Sequence, residues 1–308
     1  MKSFKNAKGI IMKQTKVLII GGGPAGMACA LQLHRFQVDV VLCEKERLGG
    51  LLNNANLVEN YLGFPQGISG NDLVTLFSIH MKNYHVPILK TKIKNLSFKQ
   101  NVFTAETETG SIQSERCVIA SGTQPIRLTD GIINDSLKNI VQYDLKGIDK
   151  YSKNKQIIVI GSGDAAFDYS LQLSKNHQVT LVNRSNGIKC LPILFQRLKE
   201  LQNIKYFENL TLEKVLLIEN KSHAVFRNIC THQIKTLPMD FLIAAIGRIP
   251  QLNFLNRSIE KQMQSLKDTN KLYLIGDVHQ GRFRQCSISI GDGIETAMKI
   301  HTVQDEKE

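Results

Sequence analysis

Lys16-Val-Leu-Ile-Ile-Gly-Gly-Gly-Pro-Ala-Gly26 decides the fold, because it joins a strand-like apolar run to a glycine-rich turn. Gly21, Gly23 and Gly26 have the G-x-G-x-x-G spacing, and a helix-like run over residues 27–35 follows them. Glycines at these places permit a tight turn, close approach of a pyrophosphate and packing of helix on strand. The start of the helix then presents unpaired N–H groups to phosphate oxygens. The segment therefore predicts a dinucleotide site in an α/β domain.

The same pattern occurs a second time in Gln156-Ile-Ile-Val-Ile-Gly-Ser-Gly-Asp-Ala-Ala166, with Ala in place of the third Gly. Each copy continues into a helix and a second strand, and a charged residue follows the first glycine at the same interval. That residue is Glu44 in the first copy and Arg184 in the second. A carboxylate suits free ribose hydroxyls, whereas a guanidinium can bind a 2′-phosphate through two hydrogen bonds. The first site is predicted to take FAD or NAD and the second NADP, with Lys189 as a second cation.

Composition excludes several other classes of protein. The 308 residues are 42% hydrophobic and 21% charged, which is typical of globular proteins. No apolar run approaches the roughly 20 residues that span a bilayer, and no secretory signal is recognisable. The six cysteines include no C-x-x-C, and the histidines have no metal-ligand spacing, so we expect unpaired thiols, a reducing cytoplasm and no metal. The net charge of +12 favours acidic partners. Nothing except charge points to nucleic acid.

Further motifs give the chain a resemblance to the low-molecular-weight thioredoxin reductase family of two-domain flavoproteins. Residues 44–52 resemble its E-x-x-x-x-G-G-Q-L stretch, with Leu51 where Gln is usual, and residues 58–65 resemble V-E-N-x-P-G-F-P. Residues 120–125 and 245–250 are similar to its two domain crossings. Residues 272–277 resemble its second flavin motif, followed by an Arg-Gln pair at 284–285.

The resemblance implies an α/β architecture with two Rossmann-like dinucleotide-binding domains. Residues 1–125 and 252–308 would form a discontinuous FAD domain. Because Met12 stands just ahead of the first strand, residues 1–12 are expected to be a flexible extension or an overcalled start. Residues 126–251 would form the inserted NAD(P) domain. Pro125 and Pro250 punctuate the two linkers. Members of the family are usually homodimers.

The two glycine-rich patterns, called here the first fingerprint (residues 21–26) and the second fingerprint (residues 161–166), and the family resemblance together assign two sets of cofactor-binding residues. The FAD set is Gly21, Gly23, Pro24, Ala25, Gly26, Glu44, Lys45, Gly49, Gly50, Leu51, Asn60, Ala120, Gly122, Gly276, Asp277, Arg284, Gln285 and Cys286. The NADPH set is Gly161, Ser162, Gly163, Asp164, Ala165, Ala166, Arg184, Lys189 and Gly247. Asn183 and Ser185 stand where the family often has His and a second Arg, so the use of NADH stays open. No protein residue is assigned as catalytic, because hydride and electron transfer belong to the flavin.

One departure from the family determines the predicted function. Thioredoxin reductases carry a C-x-x-C pair shortly before the second fingerprint, and residues 139–151 contain no cysteine. The related ferredoxin–NADP reductases of thioredoxin-reductase type also lack the pair. They carry V-H-Y at about this position, and Val141-Gln-Tyr143 in this chain is similar. Lys146, Lys150, Lys153 and Lys155 lie beside the missing pair, as either a docking face for an acidic carrier or a solvated loop. Asp144 or Asp149 could supply a proton near the flavin.

Three functional hypotheses follow. The leading one is an FAD-dependent NAD(P)H oxidoreductase that passes electrons to ferredoxin or flavodoxin without a redox-active disulfide. The second is a disulfide reductase of thioredoxin reductase type that uses distant cysteines of its own or thiols of its partner. The third is a redox sensor that binds FAD and NADP without turnover.

Overall fold

The computed structural model describes residues 2–5, 11–148 and 152–305, which form strands and helices. The strands are β1 (Lys2–Lys5), β2 (Ile11–Ile20), β3 (Val40–Glu44), β4 (Ile88–Lys90), β5 (Asn95–Lys99), β6 (Val102–Glu106), β7 (Gly110–Ile119), β8 (Thr123–Pro125), β9 (Val141–Gln142), β10 (Gln156–Ile160), β11 (Gln178–Val182), β12 (Ile204–Phe207), β13 (Leu210–Ile218), β14 (Lys221–Asn228), β15 (Ile234–Pro238), β16 (Phe241–Ala244), β17 (Arg248–Pro250) and β18 (Leu272–Leu274). The α-helices are α1 (Pro24–Arg35), α2 (Gly70–Asn83), α3 (Asp164–Leu173), α4 (Pro192–Lys199), α5 (Arg257–Asp268) and α6 (Cys286–Asp305).

The chain divides into two compact units. The first unit contains Met1–Asn53, Glu59–Gln124 and Ile249–Glu308, and the second contains Asn54–Val58 and Pro125–Arg248. The sequence-based boundaries, after residues 125 and 251, lie within three residues of these divisions. The prediction and the structure differ over the short segment Asn54–Val58. The sequence assigns it to the first domain, whereas in the structure it groups with the second unit.

The first unit is a sheet in the order β4-β3-β2-β7-β6-β5, with β18 beside β7 and β1 beside β2. Strands β4, β3, β2, β7 and β18 run parallel, whereas β6 pairs antiparallel with both β7 and β5. Side chains alternate between two cores because successive strand residues face opposite sides of the sheet. Val17 and Ile19 pack on the side of α1 and α6, and Leu18 and Ile20 pack on the side of α5.

The second unit repeats this plan with the parallel sheet β12-β11-β10-β16-β9. Helices α3 and α4 cover one face, where Val159 packs against Phe167, and the antiparallel sheet β13-β14-β15 covers the other. Strands β8 and β17 form a separate two-stranded sheet. Each unit thus carries its own strand–turn–helix fingerprint, and the predicted fold class, α/β with two Rossmann-like units and one inserted in the other, is confirmed.

The N-terminal residues differ from the predicted flexible extension. Strand β1 (Lys2–Lys5) pairs antiparallel with residues Ile11–Gln14 at the start of β2 and so adds a short strand to the sheet. Met1 and residues 6–10 lie outside the described residues.

Close packing of α1 against α6 depends on a glycine. A Cβ at Gly293 would lie 2.3 Å from the carbonyl oxygen of Ala25, whereas a Cβ at Gly291, two residues earlier in the same helix, would meet nothing within 4 Å. We expect Gly293→Ala to lower the free energy of unfolding by about 1–3 kcal/mol, because the helices must separate. Gly291→Ala should raise it by about 0.5–1 kcal/mol through helix propensity. Urea unfolding of both variants checks this, and equal effects would contradict it.

Candidate dinucleotide sites

The first glycine turn accepts no side chain at two of its three positions. Gly21 has a φ of +112°, and a Cβ there would lie 2.3 Å from the carbonyl oxygen of Ala120. A Cβ on Gly26 would lie 1.9 Å from the carbonyl oxygen of Gly21. Gly23 is different, because a Cβ there would meet nothing within 4 Å. The turn is closed on the protein side and open in front of Gly23, as a pyrophosphate requires.

Helix α1 begins at this open space without a side-chain cap. Its N-cap residue is Gly23, which has no side chain to bond the free N–H groups of the first turn, and Pro24 occupies that turn. The unused N–H groups and the positive end of the helix dipole therefore face the opening. The arrangement is a site for an anionic phosphate group.

Glu44 fixes the turn from the end of β3. One carboxylate oxygen accepts a hydrogen bond from the Gly22 N–H at 2.7 Å, and the other accepts from the Glu46 N–H at 2.8 Å. A carboxylate has about four acceptor positions, so capacity for ribose hydroxyls remains. The sequence predicts only the ribose contact, and the structure adds the role of holding the glycine turn in place. The neighbouring Lys45 lies at the surface, with its Nζ 4.0 Å from Glu46.

The segment after Glu44 returns to the glycine turn. Gly49 and Gly50 have φ values of +95° and +53°, which favour glycine. The Gly49 N–H donates to the Gly22 carbonyl oxygen at 2.8 Å, and a Cβ on Gly50 would lie 3.5 Å from the Cα of Gly23. Leu51 is half-buried in the short turn that follows. The structure thus brings this predicted stretch against the first fingerprint.

The second flavin motif meets the start of α1. A Cβ on Gly276 would lie 2.8 Å from the Cβ of Ala25, and Gly276 has a φ of +68°. Its N–H donates to the carboxylate of Asp292 at 3.0 Å, and the Gln280 side-chain amide donates to the same group at 2.7 Å. Asp292 thereby fixes the turn that carries Asp277. The sequence-based prediction did not include Asp292, which lies inside α6.

Three further predicted residues come together at the start of α6. The Asn60 side-chain amide donates to the Gln285 side-chain oxygen at 2.9 Å. Cys286 is the first residue of α6, and burial, followed by the nearby Cys286 thiol, raises the pKa of Tyr61. Beside them, the Nε of Arg284 is buried without a hydrogen-bond partner among the described residues.

The first site fits FAD on these observations. The opening before Gly23 suits the pyrophosphate, Glu44 suits the ribose, and the orphaned Arg284 Nε needs an acceptor such as a carbonyl or ring nitrogen. Ala120, directly after β7, closes the glycine turn from the side, and Gly122 follows it with a φ of +65°. FAD in this site would supply acceptance of a hydride and release of single electrons.

The second fingerprint has the same form with a different third residue. A Cβ on Gly161 would lie 2.6 Å from the carbonyl oxygen of Ala245 and 2.8 Å from the Cβ of Ala166. Gly163 is the N-cap residue of α3 and faces open space. Asp164 accepts a hydrogen bond from the Leu191 N–H at 2.8 Å, so it anchors the loop that arrives from β11.

The structure brings the predicted cations to this turn. The Lys189 N–H donates to the Ser162 carbonyl oxygen at 2.8 Å, and both the Lys189 and Arg184 side chains are exposed. Ala165 follows in the first turn of α3. Gly247, with a φ of +126°, accepts from the Ile126 N–H at 3.0 Å, which fixes the crossing after β16. An open helix start with exposed cations beside it suits a phosphorylated nucleotide.

The place of the missing cysteine pair is filled by an anchored tyrosine. The Tyr143 hydroxyl accepts a hydrogen bond from the Leu128 N–H at 3.1 Å, and the Arg127 guanidinium lies 4.2 Å above its ring. Asp144 caps the next turn by accepting from the Lys146 N–H at 3.0 Å. That bond uses one oxygen of the carboxyl. Asp149 and Lys150 lie outside the described residues.

All six cysteines are free thiols. Burial raises the pKa of Cys43 to about 12, and burial together with the Asp277 charge raises the pKa of Cys286 to about 12. Burial also raises the pKa values of the Cys29, Cys117 and Cys190 thiols. The start of α6 therefore does not activate Cys286 as a thiolate. Cys230 is exposed.

Asp168 is a titratable residue that the sequence analysis missed. Its carboxylate accepts a hydrogen bond from the Asn56 N–H at 2.9 Å, and Lys175 donates to the Asn56 side-chain oxygen at 2.7 Å. Asp168 in α3 and Lys175 just beyond its end thus hold Asn56 at two points. Burial is the main cause that raises the pKa of Asp168 to about 6, against the hydrogen bond and the Lys175 charge. An acidic residue in a helical run has no sequence signal for such a contact.

The raised pKa of Asp168 predicts a pH-dependent stability. A carboxyl group whose folded pKa is raised stabilises the fold below its unfolded pKa and loses that contribution as the pH rises to about 6. Asp168→Asn keeps an acceptor for the Asn56 N–H and removes the buried charge. We expect the variant to exceed the parent in free energy of unfolding by about 1 kcal/mol at pH 8, and to match it near pH 4. Urea titrations at both pH values decide this, and a constant difference would contradict it.

The two glycine-rich helix starts are the arrangement expected of a protein that binds two dinucleotides. The family model for pyridine nucleotide-disulphide oxidoreductases matches residues 15–293, and the chain belongs to this family. The thioredoxin reductase of Rickettsia prowazekii is 26% identical over 313 residues, which cover 93% of this chain and 97% of that protein.

Two solved structures extend the comparison. The thioredoxin reductase of T. acidophilum is 25% identical with a TM-score of 0.82, and that of Lactococcus lactis is 23% identical with a TM-score of 0.83. Both matches cover 95% of this chain and 99% of the other. The likeness to the second of these shows the fold alone. The chain is an oxidoreductase of the thioredoxin reductase superfamily, and the cofactor prediction, FAD with NADPH, is confirmed at the level of the family.

Membrane and metal features can be stated for residues 2–5, 11–148 and 152–305. In these ranges no helix is both long and apolar enough to span a bilayer. The same ranges contain no group of three or more potential metal-ligating side chains.

Proposed function

We propose that this enzyme passes electrons from NADPH through FAD to an acidic one-electron carrier protein, a ferredoxin or flavodoxin, without a redox-active disulfide. The observation that carries the proposal is the segment before the second fingerprint, where Tyr143 and Asp144 occupy the place of the family's C-x-x-C pair. A dithiol relay needs two thiols within bonding reach, and this segment offers none.

The other cysteines support the same conclusion. Cys29 and Cys117 are fully buried in the cores of the first unit, and their thiols have raised pKa values. A protonated, inaccessible thiol neither attacks a disulfide nor exchanges with a partner protein. Burial also raises the pKa of Cys286, itself one of the predicted flavin-binding residues, to about 12. Electrons would therefore leave from the flavin itself.

Charge supports a protein acceptor. The net charge of +12 favours steered encounter with an acidic carrier. Lys153 is exposed, whereas Lys155 lies 3.8 Å from Asp240 and is partly neutralised. Of these two cations, only Lys153 is assigned to docking.

The residues of the chain bind and orient the reactants. Glu44 and Asp277 would hold the ribose and ribityl parts of FAD, and Arg284 would donate from its orphaned Nε. Arg184 and Lys189 would hold the phosphate of the nucleotide. Homodimeric assembly and a cytoplasmic location complete the proposal, with unpaired cysteines supporting a reducing compartment. Light scattering on a size-exclusion column tests the dimer.

Two assays on one preparation test the acceptor. NADPH-dependent reduction of ferredoxin or flavodoxin should proceed rapidly, and thioredoxin-coupled reduction of insulin should not exceed the rate without enzyme. A Cys286→Ser variant should retain the carrier activity, and Cys230→Ser serves as its surface control. Insulin reduction without carrier reduction would overturn the proposal.

Thioredoxin reduction is the second candidate, because the relatives at 26% identity bear that name. This chain would then need thiols supplied by its partner. Insulin reduction that requires the partner's dithiol and survives Cys286→Ser would establish this alternative. A chain that binds both nucleotides and reduces no acceptor would be the sensor of the third hypothesis.

A further inference from the structure

The loop after β11 is held by a buried asparagine. Asn183 is 1% exposed, and its side-chain oxygen accepts from the Ser185 N–H at 3.1 Å and from the Ser185 hydroxyl at 3.3 Å. Its side-chain amide donates to the Gly187 carbonyl oxygen at 2.9 Å and to the Tyr206 hydroxyl at 3.3 Å. The residue that stands in place of the family's usual histidine is therefore structural, and it shapes the loop that carries Arg184.

A carboxylate from the neighbouring strand completes this network. Glu208 follows β12, and its Oε1 accepts from the Tyr206 hydroxyl at 3.0 Å and from the Gly187 N–H at 3.3 Å. A tyrosine hydroxyl is a donor at neutral pH, and burial raises the pKa of Tyr206 further, to about 12. Two donors thus fix the Glu208 carboxylate against the middle of the loop. No Lys or Arg pairs with it among the described residues.

The loop therefore combines two exposed cations with one fixed anion. Arg184 and Lys189 stand near its ends, Ser185 and Asn186 between them are neutral, and Glu208 touches its centre. A 2′-phosphate bound by the cations would bring up to two negative charges close to this carboxylate. A 2′-hydroxyl carries no charge and meets no such repulsion.

We propose that Glu208 is a specificity-determining residue of the second nucleotide site, which weakens binding of the 2′-phosphate and so lets the enzyme accept NADH beside NADPH. The carboxylate acts by charge rather than by shape, because Gln at this position can still accept from Tyr206 and Gly187. The inference rests on the second fingerprint as the nucleotide site. It does not depend on the electron acceptor, so its test and the acceptor test can fail separately.

Isothermal titration calorimetry on the flavin-loaded enzyme tests the proposal without turnover. The ligands are 2′,5′-ADP, which carries the 2′-phosphate, and 5′-AMP, which lacks it. Glu208→Gln should bind 2′,5′-ADP about three- to tenfold more tightly and leave 5′-AMP within about twofold of the parent value. The gain should shrink in 0.5 M NaCl, because salt screens the repulsion. The KM ratio of NADH to NADPH should rise by the same factor.

Glu200→Gln is the matched control, since it makes the same change of charge at an exposed position at the end of α4. It should alter neither affinity. Thermal unfolding of Glu208→Gln verifies that the variant is folded. Three outcomes would overturn the proposal. Unchanged binding of 2′,5′-ADP would mean that the Glu208 charge does not reach the phosphate. Weaker binding of 2′,5′-ADP, or an equal gain for both ligands, would mean that Glu208 acts on the loop as a whole.

Discussion

Gly26→Ala is expected to abolish both stable folding of the first unit and binding of FAD. The new Cβ would lie 1.9 Å from the carbonyl oxygen of Gly21 and 3.2 Å from the Cβ of Ala120. The Gly21 oxygen belongs to a backbone turn with a φ of +112°, so it has little freedom to move away. We expect a loss of at least about 3 kcal/mol in the free energy of unfolding, together with colourless protein after purification.

Gly23→Ala separates folding from binding in the same turn. Gly23 has φ −73° and ψ −179°, which any residue adopts, and a Cβ there would meet no protein atom within 4 Å. The apoprotein should unfold at the parent urea concentration, and FAD affinity should fall at least about tenfold, because the methyl group occupies the space in front of the helix. Flavin fluorescence quenching measures the affinity. Parent-like FAD binding in Gly23→Ala would contradict the placement of the pyrophosphate.

Arg184→Ala is expected to raise the KM for NADPH about 10- to 100-fold and to leave the KM for NADH within about twofold. A guanidinium–phosphate pair with two charge-assisted hydrogen bonds contributes about 1.5–3 kcal/mol, which corresponds to this range. Steady-state kinetics with both nucleotides and one artificial acceptor measure the effect. NADH is the internal control, because its ribose lacks the phosphate.

Arg184→Lys refines this prediction. A lysine keeps the charge and loses the paired hydrogen bonds, so the KM for NADPH should lie between those of the parent and the alanine variant. Equal losses for NADH and NADPH in Arg184→Ala would contradict the assignment, since they would show that Arg184 supports the whole loop and not the phosphate.

The sequence predicts much of the first site because its constraints are local. The spacing of Gly21, Gly23 and Gly26 predicts two positions closed by the protein and one left open for the ligand. In the structure a Cβ would lie 2.3 Å and 1.9 Å from a carbonyl oxygen at Gly21 and Gly26, and would meet nothing within 4 Å at Gly23. Glu44 is likewise predictable, because it ends the strand beside the turn. Its bonds to the N–H groups of Gly22 and Glu46 are not, since Glu at a strand end shows no sign of which amides it will meet.

Contacts between residues distant in sequence account for what the sequence does not predict. Asp168 bonds to Asn56 across more than a hundred residues, and neither has an unusual neighbour in the sequence. Glu208 follows β12, which lies outside the second fingerprint. Its bond to Gly187 is therefore apparent only once the pairing of β11 with β12 is known. The absence of a cysteine pair, in contrast, is plain from the sequence, and the structure adds the anchored Tyr143 in its place.

An anaerobic titration of the purified enzyme with NADPH, followed by the visible flavin spectrum, tests the central claim most directly. A flavin takes up two electrons, and a redox-active disulfide takes up two more. If no disulfide takes part, about one equivalent of NADPH per chain should bleach the flavin completely, and Cys286→Ser should behave identically. A requirement for about two equivalents, falling to one when a cysteine is replaced, would contradict the account and establish an internal dithiol.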